Sequence, residues 1–80
     1  MDTIEMIKFF CKNLKSLRIN NNLSQAEMAK RLKLSVRTLS TIENGKLPFS
    51  VKHDVLLRIY ENFGILPSEI FAEDFSHIMT

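Results

Sequence analysis

The stretch Leu23-Ser-Gln-Ala-Glu-Met-Ala-Lys-Arg-Leu32, continued after Lys33-Leu34 by Ser35-Val-Arg-Thr-Leu-Ser-Thr-Ile-Glu-Asn-Gly-Lys46, decides the fold. Ser24 and Glu27 have the spacing of a capping box, in which each side chain satisfies a free amide at a helix start. Leu23 and Met28 are placed to staple that start, and the helix is expected over about Gln25–Leu32, with Met28, Ala29 and Leu32 inward. The signal then repeats. Ser35 can cap a second short helix, Leu34 can staple to Leu39, and Leu39 and Ile42 form its buried stripe. Asn44-Gly45 closes it, with Gly45 where a left-handed residue is expected. Two helices of about two turns, joined by three residues, cannot lie antiparallel. They must cross steeply, which is the geometry of a helix-turn-helix, here at about residues 24–44.

Outward from this stretch, further helices are expected. One runs over about Thr3–Asn20, with Asp2 and Glu5 as a capping box. Its apolar stripe is Ile4, Ile7, Phe10 or Cys11, Leu14 and Leu17, while Lys8, Lys12 and Lys15 occupy other faces. Asn20-Asn21-Asn22 ends it, since Asn tolerates the left-handed conformation. After the loop Leu47-Pro48-Phe49, Ser50 is expected to cap a fourth helix over about Val51–Phe63, with Val55, Leu56, Ile59 and Phe63 inward and Gly64 ending it. Pro67 suits the first turn of a fifth helix that buries Ile70 and Phe71. The segment Glu73–Thr80 either extends that helix or frays.

Eighty residues with 45% hydrophobic and 25% charged side chains fit one small globular domain. Two glycines and two prolines favour helices joined by short turns. The single cysteine, Cys11, can form no internal disulfide and reads as a small buried hydrophobe in a cytoplasmic protein. No signal-peptide pattern and no membrane-spanning run is present. The net charge of +2 is unevenly spread. Residues 1–58 carry all eleven Lys and Arg against five acids, Asp2, Glu5, Glu27, Glu43 and Asp54, a net +6. Residues 59–80 carry only Glu61, Glu69, Glu73 and Asp74, a net −4. The basic part suits a polyanion partner; charge alone leaves a set of merely solvated helix faces equally open.

The residues Leu23–Leu32 and Ser35–Lys46 closely resemble the Cro and phage-repressor (lambda-repressor-like) family of helix-turn-helix proteins. The resemblance spans roughly residues 14–71 and is most specific in Ser-Gln-Ala-Glu-Met-Ala and Ile-Glu-Asn-Gly-Lys. It implies an all-α, five-helix domain whose second helix lies across the DNA backbone and whose third enters the major groove. Base edges are then read by the outward positions Val36, Arg37, Thr38 and Thr41. Arg37 is the best equipped, since its fork can donate two hydrogen bonds to guanine O6 and N7. Gln25, Ser35, Asn44 and Lys46 match backbone-contacting positions, which set register without reading sequence. Arg18 and Glu43 match a partly buried structural ion pair. Lys33 and Asn22 depart from the family pattern at turns where glycine is frequent; Lys in a left-handed conformation costs about 1 kcal/mol relative to Gly.

The function implied is sequence-specific transcriptional regulation as a small repressor or controller protein, bacterial or phage-encoded, on double-stranded DNA. One helix-turn-helix supplies few base contacts, so a homodimer on a two-fold operator is expected. The apolar residues Ile65, Leu66, Ile70, Phe71, Phe75, Ile78 and Met79 make the fifth helix and the tail, residues 72–80, the expected dimer surface; the alternative is that they complete the monomer's own core. The competing function class is a protein-interaction module or antitoxin whose partner is a toxin. Enzyme chemistry is not expected. His53 and His77 lie 24 residues apart with no metal-ligand spacing. No nucleophile-and-base arrangement or phosphate loop calls for a catalytic residue, metal or cofactor.

Overall fold

A computed structural model describes residues 2–48, 51 and 54–79. Among these, six helices and no strands occur: α1 Thr3–Asn20, α2 Gln25–Leu32, α3 Val36–Glu43, α4 Asp54–Phe63, α5 Pro67–Ile70 and α6 Phe75–Met79. The sixth is one more than expected. Within the tail, Phe75 is fully buried and α6 packs on both α1 and α5. The segment therefore folds onto the domain instead of fraying or prolonging α5. Val51, expected to open the fourth helix, is not helical; the expected Ser50 cap and His53 lie outside the described residues.

The helix boundaries follow from local chemistry. Asp2 accepts from the Glu5 amide at 2.8 Å, which caps α1. At α2 the reciprocal box is complete: Ser24 Oγ accepts from the Glu27 amide at 3.1 Å, and the Glu27 carboxylate accepts from the Ser24 amide at 2.9 Å. Hydrogen bonding from Ser24, its backbone amide first and then its hydroxyl, holds the Glu27 carboxyl below its ordinary pKa. Ser35 Oγ accepts from the Thr38 amide and caps α3.

The first three helices end alike. Asn22, Lys33 and Gly45 each take a left-handed conformation, with φ of 56°, 55° and 93°. The next amide in each case turns back to the final helical turn: Leu23 to the Arg18 carbonyl, Leu34 to that of Ala29, Lys46 to that of Thr41. Carbonyls that a helix end leaves unpaired are thereby satisfied, and the chain is redirected at once.

The core is drawn from every helix. Phe10, Leu14 and Leu17 of α1 meet Met28 and Leu32 of α2, Leu39 and Ile42 of α3, Val55 and Ile59 of α4, Ile70 and Phe75. Cys11 is buried among them, and burial pushes its thiol pKa up. Ile4, expected on the inward stripe, is 66% exposed. Residues 2–6 are all exposed, so the first turn of α1 extends beyond the core. Phe71, expected to be buried, is half-buried and stacks on Phe10 with ring centroids 5.2 Å apart.

Two polar devices lock α1 in place. Asn13 is 4% exposed and donates to the carbonyls of Ile70 and Ala72, each at 2.8 Å. At the far end of α1, Arg18 Nε donates to Glu43 Oε2 at 2.7 Å and Nη2 to Oε1 at 3.0 Å. The third guanidinium nitrogen, Nη1, donates to the Leu23 carbonyl at 2.9 Å. With side chains only 15% and 3% exposed, this pair is desolvated.

Glu43→Ala should therefore destabilise the domain by about 3–5 kcal/mol, the range for stranding one partner of a buried pair. Chemical denaturation checks this; a change under about 1 kcal/mol would mean the pair behaves as an exposed one. Asn13→Leu leaves two carbonyls without donors and should cost about 1–3 kcal/mol for each. Hydrogen exchange should then accelerate first in α5 and α6, and uniform acceleration across the domain would count against a local clamp.

Candidate nucleic-acid interface

The turn between α2 and α3 is Lys33-Leu34-Ser35, and α3 is fixed to the core from beneath by Leu39 and Ile42, both with no exposed surface. Fixing those two positions aims the opposite side of α3 outward. Val36 is 46% exposed, Arg37 is exposed, and Thr38 and Thr41 are half-buried at the edge of the helix. The expected base-reading residues thus lie on one helix, with the two most exposed at its N-terminal end.

Their hydrogen-bonding capacity is partly committed. Ser35 Oγ donates to Thr38 Oγ1 at 2.9 Å. Because Thr38 Oγ1 accepts that bond, its own proton is directed elsewhere and can serve an external acceptor. Thr41 Oγ1 donates to the Arg37 carbonyl at 2.9 Å, which leaves its lone pairs and methyl for an external partner. Arg37 forms no ion pair with any described residue, so its guanidinium donors are open. Val36 can offer only apolar contact.

Among the backbone-contact positions, Asn44 and Lys46 lie exposed just past the end of α3. Ser35 is exposed too, with its hydroxyl engaged in capping α3. Gln25 is placed differently from a free surface amide. Its Nε2 donates to Glu43 Oε1 at 3.1 Å, so one of its two amide hydrogens belongs to the Arg18–Glu43 pair. The exposed Glu27 carboxylate also occupies the start of α2, where an approaching phosphate would meet like charge. The link from Gln25 to Glu43 was not readable from spacing, because the two residues are 18 apart and on different helices.

The expected dimer residues are dispersed by the fold. Ile70 is fully buried and Phe75 is 1% exposed, so both serve the monomer's core and cannot form an outer surface. Ile65, Phe71, Ile78 and Met79 are half-buried against that core. Leu66 alone of the group is exposed, at 47%; Leu57 and Tyr60 on α4 are also exposed, at 57% and 50%. A regular apolar pattern in a terminal segment does not distinguish a core-completing helix from an interface, since both need the same side chains.

Among the described residues, no cluster of His, Cys, Asp and Glu could hold a metal ion, and no helix is long and apolar enough to cross a membrane. Against known proteins, the profile of a helix-turn-helix domain family matches residues 11–73. No curated protein and no solved structure matches the chain significantly. The matched region runs from Cys11 on α1 to the residues just past α5 and so includes the whole α2–turn–α3 unit; with its outward-facing α3 set on that scaffold, the chain belongs to this helix-turn-helix domain family.

Proposed function

We propose that the chain is a homodimeric, sequence-specific transcriptional regulator of the Cro and phage-repressor type, a repressor or controller protein without enzymatic activity. It occupies a two-fold operator in the cytoplasm of a bacterium, encoded by the host or by a phage. The observation that carries this reading is the exposed Arg37, without an ion-pair partner among the described residues, in the first turn of a helix whose other side is fully buried. Such a helix can be inserted into a major groove without unpacking the domain, and its N-terminal side chains then reach base edges. Asn44 and Lys46 flank it at the other end, where backbone contacts would set register. The net +6 on residues 1–58 adds a sequence-independent attraction to DNA.

Three or four side chains at roughly 1–3 kcal/mol per good contact make a weak single-site binder. A symmetric pair removes that weakness through effective concentration. Because Ile70 and Phe75 are enclosed, the proposed dimer surface is now centred on exposed Leu66, with Ile65 beside it. This end of the chain is acidic, so it repels DNA while the basic part approaches it. The two α3 helices of the pair would lie roughly 34–36 Å apart, matching half-sites one helical turn apart.

Selection of a preferred site from random duplexes, followed by titration of variants, tests the assignment of roles. Arg37→Ala should lose about 1–3 kcal/mol on the selected site and little on random DNA. Lys46→Ala should weaken both and reduce the salt dependence by about one unit. Equal losses on both duplexes for Arg37→Ala would make it a phosphate contact. For assembly, sedimentation at micromolar concentration should give a dimer for the unaltered chain and a monomer for Leu66→Lys. A dimer insensitive to that charge would move the interface elsewhere, and a monomer that bound a half-site as tightly as the full operator would remove the need for one.

A further inference from the structure

Beside the end of α3 lies a second basic surface that the helix-turn-helix does not account for. An open cleft of about 620 Å³ separates α1 from the C-terminal end of α3. Lys8, Lys12 and Lys15 line it from α1, and Asn44 and Gly45 line it from the other side. The three lysines are spaced four and then three residues apart, so they stand in one row on one face of the helix. All three are exposed, and none has a carboxylate within ion-pair distance among the described residues. The carboxylate that does border the cleft, Glu43, is already bound by Arg18 and Gln25 and is 3% exposed. The cleft therefore presents three uncompensated positive charges.

We infer that this cleft is a second phosphate-binding track, in which Lys8, Lys12 and Lys15 hold the DNA backbone outside the stretch of groove that α3 reads. The inference rests on the DNA-binding reading above and extends its footprint. Continuity is the reason for choosing DNA as the occupant: Asn44, placed to contact the backbone at the end of α3, is itself part of the cleft wall. A strand held at Asn44 is led directly onto the lysine row. The row covers about 10 Å along α1, enough for two or three phosphates of one strand lying alongside it. Lysine is suited to this task, because a flexible point charge attracts phosphate without demanding a fixed geometry. Such contacts carry no sequence information; they lengthen the site and make affinity more dependent on salt.

The test is a fluorescence-anisotropy titration of the full chain on a 30-base-pair random duplex between roughly 50 and 200 mM salt, where backbone contacts dominate. The triple variant Lys8→Gln/Lys12→Gln/Lys15→Gln alters only exposed side chains, and circular dichroism confirms that it stays folded. Its slope of log affinity against log salt should be smaller than that of the unaltered chain by about two to three, one unit for each phosphate released. In the unaltered complex, acetylation followed by mass spectrometry should find all three amines protected relative to the free protein. An unchanged slope, or full acetylation of the three lysines in the complex, overturns the track while leaving DNA binding through α3 intact. Failure of the unaltered chain to bind any duplex overturns both.

Discussion

The orientation of α3 depends on one buried ion pair. Glu43 is the last residue of α3, where a negative charge opposes the helix dipole, and it is enclosed by protein. Arg18 answers it with two parallel hydrogen bonds and uses its remaining nitrogen on the Leu23 carbonyl. Gln25 adds a third donor to the same carboxylate. The end of α1, the turn after it, the start of α2 and the end of α3 thus meet at one ion pair. Apolar residues of similar volume could match such a pair in stability. What they could not reproduce is its planar fork, which fixes direction as well as distance.

The turns work to the same end. Left-handed Asn22, Lys33 and Gly45 stop three successive helices without a spare residue, and each stop returns an amide to the helix it closes. At Lys33 a glycine would adopt the conformation at less cost, by about 1 kcal/mol. That strain is tolerable because Leu32 beneath it is fully buried and the Leu34 amide bonds back to Ala29. A short, hydrogen-bonded turn restricts how far α3 can swing relative to α2, and that fixity offsets the lost fraction of stability.

Much of this was legible in the sequence, for an identifiable reason. Capping residues, staples and helix stops act over three to five positions, so Ser24 with Glu27 and Asn44 with Gly45 announce themselves locally. The outward placement of Arg37 followed from the inward placement of Leu39 and Ile42. Features that join distant segments were not legible from pattern. Asn13 looks like any polar residue on a helix, and only the fold brings two carbonyls from beyond residue 69 to its amide. Ile70 and Phe75 have the composition of an interface, yet the fold turns them inward. The lysines of α1 were correctly set apart from its apolar stripe, but their position beside Asn44 depends on how α1 crosses α3.

The Asn13 clamp also orders events in time. α1 is synthesised before the segments that complete it, and Asn13 finds its partners only 57 and 59 residues later. At about 5–20 residues per second, translation takes roughly 3–12 s to supply them. During that interval α2 and α3 can form their local turn, whereas Phe10 lacks Phe71 and α1 lacks the helices that close its lower half. Closing so long a loop is also an entropic cost that local helix pairs do not bear. A nascent chain halted before residue 70 would carry Val36, Arg37, Thr38 and Thr41 and still lack the α5 and α6 contacts that complete the domain, so the emerging polypeptide would hold the outward side chains of α3 several seconds before the scaffold beneath them was finished.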